Sequence, residues 1–265
     1  MTARDFERVA ARIHRMAGIV LEPHKKQMIY SRLSRRLRAR GMTKFQTYLD
    51  LLDDGSDPEE LQAFVNTLTT NLTSLFREAH HFGHLESHVL AELKGRANPR
   101  LRIWSAGCSS GEEPYSVALS ILETLGQIPG DVMILATDLD TRILETGRAG
   151  LYRADKVANS PKRYARHLIT RDAQTVAMPP AARKAISFRR LNLLEPWPMN
   201  GLFKVIFCRN VLIYFDSATK ASLVNRLAER LEPGGFLYLG HSESLLGQHP
   251  LLDSCGDTIY RRRDA

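Results

Sequence analysis

From about residue 100 onward, short apolar segments that suit β-strands alternate with segments that suit helices. The predicted strands are 101–104, 132–136, 185–191, 205–207, 236–239 and 258–261, and the main predicted helices are 114–125, 141–148 and 218–231. This alternation is typical of a mostly parallel sheet covered by helices on both faces, the doubly wound α/β class. Such sheets bind ligands at the carboxyl ends of their strands. The residues that directly follow the predicted strands are therefore the first candidates for a functional site.

Residues 1–75 contain no strand pattern and are predicted to form a small, basic, all-helical domain. In the first predicted helix, apolar residues repeat at helical spacing ahead of a glycine: Phe6, Val9, Ile13 and Met16, then Gly18. We expect a linker helix at residues 76–99 and the α/β domain at residues 100–265. Within that domain, residues 161–184 interrupt the alternation and contain two adjacent prolines, so this segment is predicted to be a small inserted β subdomain.

The positive charge of the chain is concentrated in its first 41 residues. They hold 11 Lys or Arg against 3 Asp or Glu, whereas the other 224 residues hold 26 of each sign. A local basic patch of this kind usually binds an acidic partner. The second predicted helix carries five arginines and no acidic residue one turn away: Arg32, Arg35, Arg36, Arg38 and Arg40. This pattern leaves the charge of the arginines uncompensated on their own helix, and we expect them to bind an acidic partner: nucleic acid, anionic lipid or a protein face rich in carboxylates. A solvated face without a partner is the alternative.

The residues after the first two predicted strands suit a cationic nucleoside ligand. A run of small residues, 105–111, lets the backbone approach a ligand closely. The two acids that follow, Glu112 and Glu113, would repel a pyrophosphate but suit a positive charge. S-adenosylmethionine carries a sulfonium and an ammonium group, so the pattern favours it over NAD or ATP. Asp138, after the second strand, is well placed to accept both ribose hydroxyls, with a helix N-cap as the alternative.

Asparagines follow the third and fourth predicted strands. The side-chain amides of Asn192 and Asn210 offer donors and acceptors to an adenine edge or to a substrate group. Either residue is alternatively a turn residue without a ligand. Candidate ligand-binding residues therefore follow four of the predicted strands.

Six sequence blocks resemble, in order, the motifs of the bacterial chemotaxis receptor methyltransferases, the CheR family. They are residues 71–78, 111–116, 136–140, 192–194, 207–215 and 240–243, and the match spans nearly the whole chain. The Cys-Arg-Asn-Val-Leu-Ile-Tyr-Phe stretch at 208–215 is far more specific than a generic cofactor loop. The resemblance implies a Rossmann-like, S-adenosylmethionine-dependent enzyme that methylates receptor glutamates for sensory adaptation. It would form glutamyl methyl esters and release S-adenosylhomocysteine.

The same resemblance implies roles for individual residues. Nine are expected to contact the cofactor: Asn71, Thr73, Arg77, Glu113, Asp138, Asn192, Leu193, Asn210 and Val211. Arg77 and Tyr214 are expected to lie nearest the transferred methyl group and to act in catalysis. For Arg77, a structural ion pair with Glu78 or another acid is the alternative. A glutamate carboxylate, with a reference pKa near ~4.3, is ionised at pH 7, so catalysis is expected to come from alignment and exclusion of water rather than from a general base.

Two other functions stay open. A nucleic-acid methyltransferase would hold phosphates with the basic front domain. Amino-methylating enzymes of that kind usually carry an Asn/Asp-Pro-Pro-Tyr/Phe element after the fourth strand, where this chain has Arg209-Asn210-Val211-Leu212. A non-catalytic module that binds S-adenosylmethionine and docks to receptors is the second alternative, and the presence of Arg77 and Tyr214 argues against it.

No metal site, export signal or membrane anchor is expected. Four histidines cluster in the linker helix without a His-Glu-x-x-His element or a nearby cysteine, so polar or packing roles are expected: His80, His81, His84 and His88. The three cysteines are far apart in the chain, which fits a reducing cytosol. No apolar run approaches the ~20 residues of a membrane span. We therefore expect a cytoplasmic monomer without membrane insertion, metal or a nucleic-acid partner. The resemblance implies that it binds the helical bundle of chemotaxis receptors, and we expect the five arginines of the second helix to contact an acidic face of that bundle.

Overall fold

The computed structural model describes residues 1–96, 99–245 and 247–264. Its first part is a bundle of four helices, with a 3₁₀ turn (Pro23–Lys25) before the second: α1 (Ala3–Ala17), α2 (Lys26–Ala39), α3 (Phe45–Asp54) and α4 (Pro58–Leu68). Apolar side chains from all four helices form a core of their own, which includes Val9, Leu33, Tyr48 and Phe64. The predicted all-helical front domain is present, and α3 is a helix that the sequence analysis did not predict.

A second helical stretch connects this bundle to the sheet. It consists of α5 (Ala79–His84), a π-helical turn (Leu85–Leu90) and a 3₁₀ turn (Ala91–Leu93). Phe82, Leu85 and Val89 on its buried side pack into the core of the α/β domain. The predicted linker helix at 76–99 thus corresponds to helical turns between residues 79 and 93, and residues 97 and 98 lie outside the described part of the chain.

The described residues of the α/β domain form ten strands: β1 (Leu101–Ala106), β2 (Val132–Asp138), β3 (Leu151–Arg153), β4 (Ile169–Thr170), β5 (Thr175–Ala177), β6 (Ile186–Arg190), β7 (Phe203–Cys208), β8 (Leu231–Leu239), β9 (Leu252–Gly256) and β10 (Ile259–Arg262). Seven of them make the central sheet, in the order β6-β2-β1-β7-β8-β10-β9. The first five are parallel, and β10 runs antiparallel to both of its neighbours. The six predicted strands all overlap strands of the central sheet, and β9 is the additional strand of that sheet.

Helices cover both faces of this sheet, as predicted. They are α6 (Glu112–Leu125), α7 (Thr141–Ala149), α8 (Ala154–Val157), α9 (Lys162–Ala165), α10 (Pro180–Ala185) and α11 (Ser217–Glu229), with a 3₁₀ turn at Leu212–Tyr214. Because successive side chains of a strand point to opposite faces, the adjacent residues Ile103 and Trp104 belong to different cores. Ile103 packs with residues of α6, and Trp104 packs in the core that contains residues of α11.

A small antiparallel sheet, in the order β3-β5-β4, lies apart from the central one. Its first strand comes from residues 151–153, ahead of the predicted insertion at 161–184. The last part of that predicted segment forms α10, which contacts α6 and the central sheet. The small sheet therefore begins before the predicted insertion, and it pairs strands on both sides of the intervening helices α8 and α9.

Candidate functional site

A cavity of about 310 Å³ lies where the carboxyl ends of β1, β2, β6 and β7 face the helical domain. Its lining includes all ten residues predicted to bind the cofactor or act in catalysis: Asn71, Thr73, Arg77, Glu113, Asp138, Asn192, Leu193, Asn210, Val211 and Tyr214. The strand-end argument and the motif resemblance thus lead to the same place in the fold. Contact of each residue with a ligand stays a prediction.

Two backbone N–H groups, one from the turn after β1 and one from the residues after β2, hold the Asp138 carboxylate. The N–H of Ser109 donates to Asp138 Oδ2 at 2.9 Å, and the N–H of Asp140 donates to Asp138 Oδ1 at 3.0 Å. Gly107 is required in this turn, since its φ is 83° and a Cβ atom there would lie 2.3 Å from Val211 Cγ2. Burial raises the pKa of Asp138 to about 6. The N-cap of α7 is Asp140, not Asp138, so the capping alternative for Asp138 is wrong.

Asp140 also joins the two domains at the edge of the cavity. Its fully buried carboxylate accepts hydrogen bonds from Thr69 Oγ1 and Asn71 Nδ2, each at 2.9 Å. The backbone carbonyl of Asn71 in turn accepts from the hydroxyl of Ser109 at 3.3 Å. Asp140 therefore fixes the orientation of Asn71. The sequence analysis did not select Asp140, although it stands in the resembling block 136–140.

Arg209 is buried between two carboxylates at the floor of the cavity. Its guanidinium lies 3.5 Å from Glu113 Oε2 and 3.5 Å from Glu78 Oε2, and it donates to the backbone carbonyl of Arg77. The other oxygen of Glu113 accepts from the Ser105 hydroxyl at 2.6 Å. Burial raises the pKa of Glu113, against the opposing effect of Arg209. The sequence analysis missed Arg209, which lies in the most specific of the resembling blocks.

Arg77, in contrast, has no ion-pair partner among the residues that the structure describes. Its Nη1 donates to the backbone carbonyl of Leu72 at 2.9 Å. Glu78 instead faces Arg209 and His241, whose Nδ1 lies 3.3 Å from Glu78 Oε1. The alternative that Arg77 serves as a structural ion-pair partner of Glu78 is therefore wrong. A half-buried guanidinium without a counter-ion suits a carboxylate ligand.

The loop after β7 carries Asn210 and Tyr214 and is fixed by a buried glutamate. The carboxylate of Glu243 accepts hydrogen bonds from the backbone N–H groups of Asn210 at 2.7 Å, Gly240 at 2.8 Å and Ile213 at 3.1 Å. Asn210 adopts a φ of 58°, a left-handed conformation that asparagine tolerates better than most residues. Glu243 thus holds the shape of this loop. The sequence analysis quoted the block 240–243 but assigned it no role.

The side chain of Asn192 is largely engaged by the protein itself. Its Nδ2 donates to the carbonyl of Met16 at 2.8 Å and to Glu195 Oε1 at 3.0 Å, and its Oδ1 accepts the N–H of Leu194 at 3.1 Å. Asn192 therefore has the turn role that was the alternative to ligand binding, and it also ties α1 to the end of β6. Both amide hydrogens are committed, which leaves only its Oδ1 and backbone for a ligand.

The histidines of the linker pack against the neighbouring sheet. His81 is fully buried, and His84 Nδ1 lies 2.8 Å from the Tyr238 hydroxyl. Burial lowers the pKa of His81 to about 3 and that of His84 to about 4, so both rings are neutral at pH 7. Glu78, His80 and His81 each place one possible ligand atom within 4.8 Å of the others. Independence from metal stays a prediction.

The five arginines of the second predicted helix, four in α2 and Arg40 at its C-terminal cap, divide into two groups. Three contact α4 or its ends: Arg32 donates to the Thr69 carbonyl at 2.8 Å, Arg36 pairs with the buried Glu60, and Arg40 lies 2.8 Å from Asp57 Oδ2. The expectation that all five are uncompensated is wrong, because acids on and before the neighbouring helix neutralise two of them. Arg35 and Arg38 are exposed and have no ion-pair partner within the described ranges.

Two family models match almost the whole chain. One, the CheR methyltransferase SAM binding domain, matches residues 71–260, and the other, the CheR methyltransferase all-alpha domain, matches residues 4–69. The chain belongs to the CheR methyltransferase family. The fold predicted for this CheR protein is confirmed, with a central sheet that is mixed rather than wholly parallel. It is an S-adenosylmethionine-dependent methyltransferase.

Named relatives agree with this assignment. A chemotaxis protein methyltransferase of Escherichia coli is 41% identical over 260 residues, which cover 96% of this CheR chain and 89% of that protein. Chemotaxis protein methyltransferase 2 of Pseudomonas aeruginosa is 42% identical over 264 residues, covering 98% and 93%. No helix within the described residues is long and apolar enough to cross a membrane.

Proposed function

We propose that this CheR protein transfers the methyl group of S-adenosylmethionine to glutamate side chains of chemotaxis receptors. The observation that carries the proposal is the meeting of Asp138, Glu113 and a guanidinium without counter-ion, Arg77, in one cavity. The names of its relatives support chemotaxis proteins as substrates. A cytoplasmic location, a monomeric state and the absence of a nucleic-acid partner are further predictions of the same proposal.

The residues of the cavity fit S-adenosylmethionine. Asp138 is the acceptor for the ribose hydroxyls, and Glu113, whose side chain is 11% exposed, is the counter-charge for the ammonium group. Gly107 leaves room that a side chain at this position would fill. Asn71, Asn210 and Val211 complete the walls. The bound cofactor supplies an electrophilic methyl group; binding and orientation come from these side chains.

The glutamate substrate is oriented by Arg77 and Tyr214. The guanidinium attracts the carboxylate, while the tyrosine hydroxyl, whose pKa burial raises, stays protonated and available as a donor. The carboxylate is already ionised at neutral pH, so no side chain has to remove a proton. Rate enhancement then comes from holding the two reactants in line in a space from which water is excluded, which supplies several kcal/mol.

Arg35 and Arg38 bind the acidic receptor surface, rather than all five arginines of the second predicted helix. Arg32, Arg36 and Arg40 have partners in α4 or at its two ends, so their side chains are held against the protein. Arg35 and Arg38 project into solvent, where a charge attracts a partner without first breaking an internal pair.

The test supplies radiolabelled S-adenosylmethionine with a receptor signalling domain, DNA or RNA. We expect label only on the receptor, and its release by mild base as an ester requires. Arg77→Ala should lower turnover more than affinity for S-adenosylhomocysteine, whereas Arg100→Ala, an exposed arginine away from the cavity, should change neither. Label on nucleic acid, base-stable label, or cofactor binding without any transfer would each contradict the proposal.

A further inference from the structure

Two exposed apolar residues, Leu72 and Ile213, line the cavity together with Tyr214, and a third, Val20, follows Ile19 of the same lining. Leu72 is 77% exposed, Ile213 47% and Val20 41%, and these three make up the apolar rim. The N–H of Val20 donates to the Tyr214 carbonyl at 2.9 Å, and the Tyr214 hydroxyl lies 3.4 Å from the carbonyl of Thr70. Single exposed apolar residues are ordinary, but a cluster at a cavity mouth marks a binding surface.

The backbone of the apolar rim is held at the catalytic end of the cavity. The carbonyl of Leu72 accepts from Arg77 Nη1 at 2.9 Å, and the N–H of Ile213 donates to the buried carboxylate of Glu243 at 3.1 Å. An apolar surface here meets whatever delivers the carboxylate, because its backbone is held next to Arg77 and Tyr214.

We propose that the apolar rim binds apolar side chains that lie one helical turn from the target glutamate on the receptor helix. This inference rests on the proposed function. A glutamate side chain is short, so a helix that inserts it into the cavity must lie across the mouth. Residues three and four positions away share its face, about 5–6 Å from it. These residues contact Leu72, Ile213 or Val20, where a charged side chain would lose its hydration without gaining a hydrogen-bond or ion-pair partner.

The apolar rim and the exposed arginines thus read different features of one receptor helix. Arg35 and Arg38 attract acidic residues by a force that salt screens. The apolar rim selects the immediate neighbours of the glutamate through contacts that salt does not weaken. A receptor glutamate flanked by charges is then a poor substrate even on an acidic helix.

Leu72→Ser and Ile213→Ser test this directly in the full-length enzyme. Each should raise KM for the receptor domain about fivefold to tenfold, with kcat and S-adenosylhomocysteine affinity unchanged. The ratio of the variant's KM to the wild-type KM should be the same at low and at high salt. Met133→Ser is the matched control, because Met133 is 57% exposed near the opposite end of β2. A receptor variant with aspartate four residues from its methylated glutamate should lose reactivity to a similar extent.

The outcomes separate the two proposals. If the wild-type enzyme forms no base-labile receptor ester, the proposed function fails and the apolar rim proposal fails with it. If the ester forms but Leu72→Ser and Ile213→Ser keep the KM of Met133→Ser, only the apolar rim proposal is overturned. Unchanged reactivity of the aspartate receptor variant overturns it as well.

Discussion

Removal of the Arg36 guanidinium is expected to destabilise the helical domain. The side chain of its partner, Glu60, is fully buried and accepts from Arg36 Nε at 2.7 Å and from the Tyr48 hydroxyl at 2.7 Å, with Arg40 Nε 3.5 Å away. Breaking a buried ion pair from one side costs about 3–5 kcal/mol, because the remaining charge stays buried. Arg36 is itself partly exposed, and Arg40 stays close to Glu60. We therefore expect Arg36→Ala to lower the free energy of unfolding by about 2–3 kcal/mol.

Urea denaturation measures this loss. Both tryptophans, Trp104 and Trp197, lie in the α/β domain, so their fluorescence follows that domain while far-ultraviolet circular dichroism follows both. Arg35→Ala, on the same helix but with no ion-pair partner in the described part of the chain, should stay within about 0.5 kcal/mol of wild type. An Arg36→Ala protein as stable as Arg35→Ala would refute the reasoning. Adding Glu60→Gln to Arg36→Ala should restore part of the loss, since no buried charge is then left unpaired.

Two further predictions concern binding. Replacing Arg35 and Arg38 together by alanine should raise KM for the receptor and make this KM less dependent on salt concentration, with cofactor affinity unchanged. A wild-type KM for the receptor that does not change with salt concentration would contradict this. Burial raises the pKa of Asp138 to about 6 in the free protein, and the proposed function makes its ionised form the ribose acceptor. Affinity for S-adenosylhomocysteine should therefore be constant above about pH 7 and fall by up to about tenfold per pH unit below 6, measured by calorimetry. Asp138→Asn should bind weakly with a shallower pH dependence, and a wild-type affinity that is flat from pH 5 to 8 would exclude this role.

The strands could be predicted where the sheet buries them and not where it leaves them exposed. β1 and β7 are largely buried on both faces, and their sequences are apolar apart from Arg102, Ser105 and Lys204. β9 is an edge strand on which only Leu252 is buried, followed by Asp253, Ser254 and Cys255 on the surface. Its strand structure comes from backbone pairing with β10, which leaves no apolar pattern in the sequence.

The missed site residues act through contacts between distant parts of the chain. Arg209 faces carboxylates at positions 78 and 113, and Glu243 accepts from the loop at 210–213. A spacing pattern within one segment of the sequence cannot indicate pairs between residues that are so far apart in the chain. The same reason explains the error about α2: the acids that neutralise Arg36 and Arg40 precede or lie on α4, so an i,i+4 search along one helix cannot find them.

The two arginines named in the lining of the cavity, Arg77 and Arg209, have different electrostatic roles. Methyl transfer from a sulfonium to a carboxylate cancels both charges, so strong stabilisation of the ionised reactants would slow the reaction. Arg209 is committed to Glu78 and Glu113, and its charge therefore adds little to the field on the substrate. In the proposed mechanism Arg77 attracts the carboxylate, and it is half-buried, where solvent weakens that attraction. This arrangement would orient the glutamate and still leave its charge free to react with the methyl group.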